Sequence, residues 1–132
     1  MKRKKLIILI IIAAVITAGY FFAPFSPRNS DGINVSKINR EISEDEAVLM
    51  DVRTDAELIE DGYAVDSVHF ELVRLQNGEL PNYPKDKKIY VYCKAGGRAG
   101  KAEVILEENG FTDVTNIGGL VDWEAAGGEV MR

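Results

Sequence analysis

The stretch Ile89–Gly110, IYVYCKAGGRAGKAEVILEENG, changes pattern twice within its length. Ile89–Tyr92 is a continuous apolar run, as expected of a strand covered on both faces. Ala95, Gly96 and Gly97 then let the chain turn tightly, and Ala99, Ala102, Ile105 and Leu106 form the apolar stripe of a helix that stops at Asn109-Gly110. Strand, glycine turn, helix is the repeating unit of a parallel α/β sheet. The pattern recurs upstream, where Ala47–Val52 (AVLMDV) reads as a second buried strand. Thr54-x-x-Glu57 has the spacing of a capping box and opens a helix toward Asp61. Val68–Phe70 and Val114–Ile117 are weaker strands, and Ser36–Ile42 and Leu120–Ala126 are shorter helices. The expected fold class is α/β: an open parallel sheet flanked by helices.

The chain around this core has two unlike parts. Of its 132 residues 46% are hydrophobic and 28% charged, with a net charge of −5. Residues 26–132 are about 40% apolar and hold all 21 acidic residues, which gives them a charge of −9. Such an acidic domain is not a nucleic-acid binder that works by bulk positive charge. One cysteine also excludes a fold held together by its own disulfides.

Lys2, Arg3, Lys4 and Lys5 precede an apolar run from Leu6 to Ala23. Eighteen helical residues would span roughly 27 Å, close to a bilayer's hydrocarbon core. The run exceeds a usual signal-peptide core and ends in Tyr20, Phe21 and Phe22, which suit a membrane interface better than a peptidase site. Residues 1–23 are therefore expected to be an uncleaved signal anchor or transmembrane helix, with cleavage and secretion as the alternative. The basic block keeps the amino terminus cytoplasmic and exports the rest. Residues 24–32 (PFSPRNSDG) read as a linker, and residues 33–132 as one domain.

The chemistry concentrates at Cys93, where the run Cys93-Lys94-Ala95-Gly96-Gly97-Arg98 joins strand to helix. The carboxyl end of a strand in an open α/β sheet is where ligands bind. Small residues turn successive N–H groups inward as an anion-binding nest, and the following helix adds its positive end. Lys94, Arg98 and Lys101 add three cations. These groups favour negative charge at or beside the sulfur and suit a thiolate that attacks an anionic electrophile. Two other readings fail on residue identity. In AGGRAGKA (95–102), Ala95 replaces the first glycine of a phosphate-binding P-loop and Ala102 its magnesium-binding hydroxyl. The Cys-x5-Arg loop of cysteine phosphatases fails by one residue, because Arg98 comes one position too early.

Three segments in order resemble the rhodanese family of thiosulfate sulfurtransferases. Leu49-Met50-Asp51-Val52-Arg53 with Glu57 resembles its first-strand D-V-R and following acid. Cys93 to Arg98 resembles its six-residue C-x-x-G-x-R loop, and Gly118-Gly119-Leu120-Val121-Asp122-Trp123 its closing G-G-x-x-x-W. The likeness covers residues 34–130 and implies a rhodanese-like fold with Cys93 as sulfur acceptor. On that likeness the thiolate takes sulfane sulfur from an anionic donor such as thiosulfate and passes it from a persulfide to a thiol or cyanide. The amides of Lys94, Ala95, Gly96, Gly97 and Arg98 would cradle the persulfide, with Arg98 and Lys94 orienting the donor. A module that binds partners or senses oxidants or sulfane sulfur, with little turnover, is the alternative.

Elsewhere Asp51 and Arg53 read as fold-holding residues, with an Arg53–Glu57 ion pair expected, and Trp123 as core. No cofactor and no metal is expected, since His69 is the sole histidine and stands far from the loop in sequence. One departure concerns Gly62-Tyr63-Ala64-Val65-Asp66-Ser67, where the family often reads G-H-I-x-G-A; it puts the local turn in question.

Overall fold

The computed structural model describes residues 32–132. The expectations for residues 1–23 and for all but the end of the 24–32 linker lie outside the described residues. No helix among the described residues is long and apolar enough to cross a membrane.

In chain order the elements are α1 (Val35–Ser43), β1 (Ala47–Asp51), α2 (Asp55–Asp61), β2 (Tyr63–Ala64), β3 (Ser67–His69) and α3 (Leu72–Gln76). They continue with β4 (Lys88–Cys93), α4 (Gly97–Glu108), β5 (Val114–Gly119), α5 (Leu120–Ala125) and β6 (Val130–Met131). Four strands form a parallel sheet in the order β3-β1-β4-β5. The α/β expectation and its four strands hold. Helix α3 and the small antiparallel pair β2–β6, with Tyr63 opposite Met131, were not read from the sequence.

The period-two geometry of a strand explains why β1 and β4 read as unbroken apolar runs. Met50, Val52, Val91 and Cys93 face one core with Leu72, Leu75, Ala99, Ala102, Leu106 and Phe111. Leu49, Tyr90 and Tyr92 face the other with Val35, Ile38, Leu120 and Trp123. Helices α3 and α4 thus cover one face and α1 and α5 the other, so both sides of each central strand are dry.

The helix ends follow their local sequence. Thr54 and Glu57 form the predicted capping box on α2: the Thr54 amide donates to Glu57 Oε2 at 3.1 Å, and the Glu57 amide donates to Thr54 Oγ1 at 3.4 Å. Helix α4 ends at Glu108 with Gly110 at φ +93°. The Gly110 amide bonds the Glu107 carbonyl and the Phe111 amide the Leu106 carbonyl, both near 3.0 Å. Those two bonds satisfy carbonyls that the helix end would otherwise leave open. The departure at 62–67 keeps its turn: Asp66 takes φ +62°, a conformation that aspartate tolerates better than most side chains.

Candidate active site

Cys93 ends β4, at the carboxyl edge of the sheet, and is 1% exposed. The loop after it turns at Gly96, whose φ of +92° swings its amide back so that the N–H donates to Cys93 Sγ at 3.0 Å. Of the predicted cradle from Lys94 to Arg98, this is the amide that bonds the sulfur among the described residues. Ala95 and Gly97 are exposed, and α4 starts at Gly97, four residues after the thiol.

The loop is shaped from below by β5. A Cβ on Gly119 would lie 2.1 Å from the Lys94 carbonyl oxygen, so only glycine lets the two backbones approach as they do. Asn116 ties strand to loop: its Nδ2 donates to the Gly96 carbonyl at 3.0 Å, and its Oδ1 accepts from the Gly118 amide at 2.9 Å. Asn116 was missed in the sequence. The available signal was a polar amide two residues ahead of the Gly-Gly pair, in a segment otherwise read as strand. Register slips between the Val91 and Cys93 pairings of β4 with β5, just where the chain must leave the ladder to present the thiol.

The charges around the loop differ from the sequence expectation. Arg53 does not pair with Glu57. It lies fully buried, its Nε and Nη2 bonded to the Asp51 carboxylate at 2.7–3.1 Å and its Nη2 also donating to the Gly62 carbonyl at 2.7 Å. Burial opposes its charge, but Asp51 more than offsets this and raises its pKa. Asp51 and Arg53 are fold-holding, as read from the sequence. Glu57 instead receives both Arg98 Nη groups at 2.6 Å. That fork, together with the Thr54 bonds, holds the Glu57 carboxyl down at about 2, and Glu57 in turn raises the Arg98 pKa. Lys94 Nζ lies 3.5 Å from Asp61 Oδ2. The same oxygen is 3.7 Å from Arg53 Nη1, a fully buried nitrogen with no hydrogen-bond partner. Sequence separation hid these contacts, because α2 precedes the loop by more than thirty residues.

His69 sits at the end of β3, with its Nε2 2.7 Å from the Arg53 carbonyl and its Nδ1 3.2 Å from Asp55 Oδ1. It is not bonded to the thiol. Asp55, His69 and Glu71 place one donor atom each within 4.8 Å of one another, the group best able to take a cation among the described residues. Asp55 is largely exposed there, and Glu71 Oε1 already accepts the Asp55 amide at 3.0 Å. Trp123 is core, with its indole N–H donating to the Glu129 carbonyl at 3.2 Å.

A single strand-end cysteine under a glycine-turned loop, on a four-stranded parallel sheet, has known counterparts. Residues 34–126 match the rhodanese-like domain. The chain belongs to the rhodanese-like family. A sulfurtransferase of Allochromatium vinosum is 29% identical over 99 residues, covering 72% of this chain and 89% of that protein. The thiosulfate sulfurtransferase PspE of Escherichia coli is 50% identical over a shorter run of 38 residues, 29% of this chain and 36% of that one. Among solved structures, the Alr3790 protein of Anabaena superposes with a TM-score of 0.61 at 28% identity, covering 74% of this chain and 76% of that one. This rhodanese-like domain therefore has sulfurtransferases among its relatives, and its loop from Cys93 to Arg98 lies at the site built above.

Proposed function

We propose that the protein is a sulfurtransferase that carries sulfane sulfur on Cys93. The observation that carries this reading is the Gly96 N–H on Cys93 Sγ at 3.0 Å, a donor already aimed at charge on the sulfur. The Cys93 thiolate attacks the outer sulfur of an anionic donor such as thiosulfate. A Cys93–S bond forms, the donor's S–S bond breaks, and sulfite leaves with the bonding pair. The persulfide's terminal sulfur then bears the negative charge. A thiolate or cyanide attacks that sulfur, and the electron pair returns to Cys93. The loop amides and the start of α4 serve both steps, since each develops or relieves charge at the same place. No metal, cofactor or nucleic acid enters the reaction.

The relatives' sulfurtransferase names, PspE's thiosulfate among them, support this chemistry. Residues 6–23 would tether the domain to the cell membrane by a single pass, with the domain outside the cytoplasm; the basic block and the apolar run support that arrangement. Intact-mass measurement after incubation with thiosulfate is expected to show the gain of one sulfur, absent in Cys93→Ser. Wild type that gains none from thiosulfate or from a persulfide, or a Cys93→Ser variant that gains it equally, overturns the reading. Membrane fractionation of the full chain, with protease added from outside, tests the tether.

A further inference from the structure

His69 is the sole histidine of the chain, and the fold brings the carboxylates of Asp55 and Glu71 to it. His69 ends β3, Asp55 opens α2, and Glu71 stands just before α3. What one ring nitrogen does decides what the other can do. Nε2 lies 2.7 Å from the Arg53 carbonyl oxygen, which can only accept, so Nε2 carries the ring's hydrogen. This bond reaches backbone outside the trio and fixes both the tautomer and the direction of the ring. Nδ1 is then a lone pair, and at 3.2 Å it meets Asp55 Oδ1, a second acceptor. Glu71 Oε1 accepts the Asp55 amide at 3.0 Å, which seats that carboxylate as well. One donor atom from each of the three lies within 4.8 Å of the other two. Two carboxylates alone would not make a site. A histidine held from behind, with its lone pair turned toward them, makes a ligand set.

We propose that Asp55, His69 and Glu71 bind a divalent cation of the zinc class through His69 Nδ1 and one oxygen of each carboxylate. An imidazole nitrogen with two carboxylate oxygens suits Zn²⁺ or Co²⁺, whereas Ca²⁺ and Mg²⁺ take oxygen alone. Zinc–ligand bonds of about 2.0–2.2 Å put the ligands of one tetrahedral ion roughly 3.3 Å apart, so closing the set needs a shift on the order of an ångström. Asp55, whose side chain is largely exposed, can make it. Water completes the shell. The cation neutralises two carboxylates and replaces the contact between two acceptors. It also fastens the end of β3 to the start of α2 and the lead into α3. Strand β1 separates β3 from β4, so this ion braces the fold and takes no part in the chemistry at Cys93. The competing occupant of the gap is a proton, which would make an imidazolium paired with Asp55. The two differ in what Nδ1 holds.

The test uses the untagged full chain in detergent micelles, carrying Cys93→Ser so that the thiol takes no metal. With one histidine in the chain, its ring nitrogen and proton resonances need no further assignment. On titration with zinc chloride the Nδ1 resonance is expected to shift while Nε2–H persists, saturating at one ion per chain. The thermal midpoint should rise with it. Asp55→Asn and Glu71→Gln should each weaken zinc by about tenfold or more, at least the loss that follows removal of an outer partner of a metal ligand. Glutamine at 71 keeps an oxygen for the Asp55 amide, so that variant preserves the bond that joins α2 to α3. A ring that stays doubly protonated, no response to zinc up to about 1 mM, zinc carried on Nε2, or unchanged affinity in either variant overturns the site.

Discussion

Gly119 meets the carbonyl oxygen of Lys94 so closely that a Cβ on it would lie 2.1 Å from that oxygen. This contact sets the height of the active loop over β5, and with it where the Gly96 amide and Cys93 Sγ meet. Gly119→Ala must push the loop outward, because both groups in the contact are backbone. Persulfide formation is expected to fall by about 100-fold or more, the cost of misplacing reacting groups by about an ångström. Stability should fall by only about 1–3 kcal/mol, as for local overpacking. Intact-mass kinetics against urea denaturation separates the two. Unchanged kinetics would mean that the contact does not position the thiol.

Asn116 carries the same loop from its other side. Asn116→Ala leaves the Gly118 amide without its partner, at about 1–3 kcal/mol if water does not replace it, and unties β5 from the Gly96 carbonyl, which keeps only the Gly100 amide at 2.9 Å. Sulfur loading should slow while Cys93 keeps its chemistry, so a higher donor concentration or longer incubation still yields the full mass gain. Asn116→Asp restores an acceptor for Gly118 but sets a carboxylate oxygen against the Gly96 carbonyl, and is expected to lie near the alanine variant.

The Asp51–Arg53 pair makes a different demand. Both side chains are fully buried, so Asp51→Ala strands a guanidinium in the core at a cost of about 3–5 kcal/mol. Replacing both, as Asp51→Leu with Arg53→Met, removes the charge together with its partner and should recover much of the loss. Chemical denaturation of the single and double variants measures this. A double variant no better than the single would show that the Arg53 bond to the Gly62 carbonyl, not the ion pair, carries the cost.

What the sequence disclosed was local. Ile89–Tyr92 had to be a buried strand because four apolar residues ran without a break, and Thr54 with Glu57 had to start a helix because their spacing caps one. Cys93 to Arg98 showed its strand-end loop for the same reason. The contacts that were misread or missed join residues far apart in the chain. Glu57 was matched with the near Arg53, yet its own helix turns it toward Arg98, forty-one residues on. Tyr63–Ala64 is too short to show strand alternation, and it forms only because Val130–Met131 returns beside it. Leu72–Gln76 covers the core with Leu72 and Leu75, too few residues for a helical period to declare itself.

The Glu57 carboxyl also predicts a pH response. Its folded value of about 2 lies below the 4.5 of a free glutamate, so folding is favoured by its ionised form. The stability it contributes is fully present above about pH 5 and is lost as pH falls from there toward 2. Glu57→Gln should therefore be less stable than wild type at pH 7, and the gap between their urea midpoints should close on acidification through that window. A gap that stays constant from pH 7 to pH 2 would mean that the Arg98 fork contributes nothing to folding.

Gly128 lies under the indole of Trp123, and a Cβ there would come within 2.2 Å of ring atoms Cε2 and Nε1. Trp123 is the sole tryptophan, so its emission reports on this contact alone. Gly128→Ala must displace the ring from its 1%-exposed site and strain its bond to the Glu129 carbonyl, at about 1–3 kcal/mol. The expected readout is red-shifted, more readily quenched fluorescence in the folded protein. Gly127→Ala is the control: its φ of +93° makes an alanine strained by about 1–2 kcal/mol, but nothing lies within 4 Å of the new Cβ. It should lower the midpoint of unfolding without moving the emission. If both variants shift the emission alike, the turn rather than the ring contact holds Trp123 in place. If only Gly128→Ala does, the close approach at 128 is what seats the G-G-x-x-x-W tryptophan against the sheet.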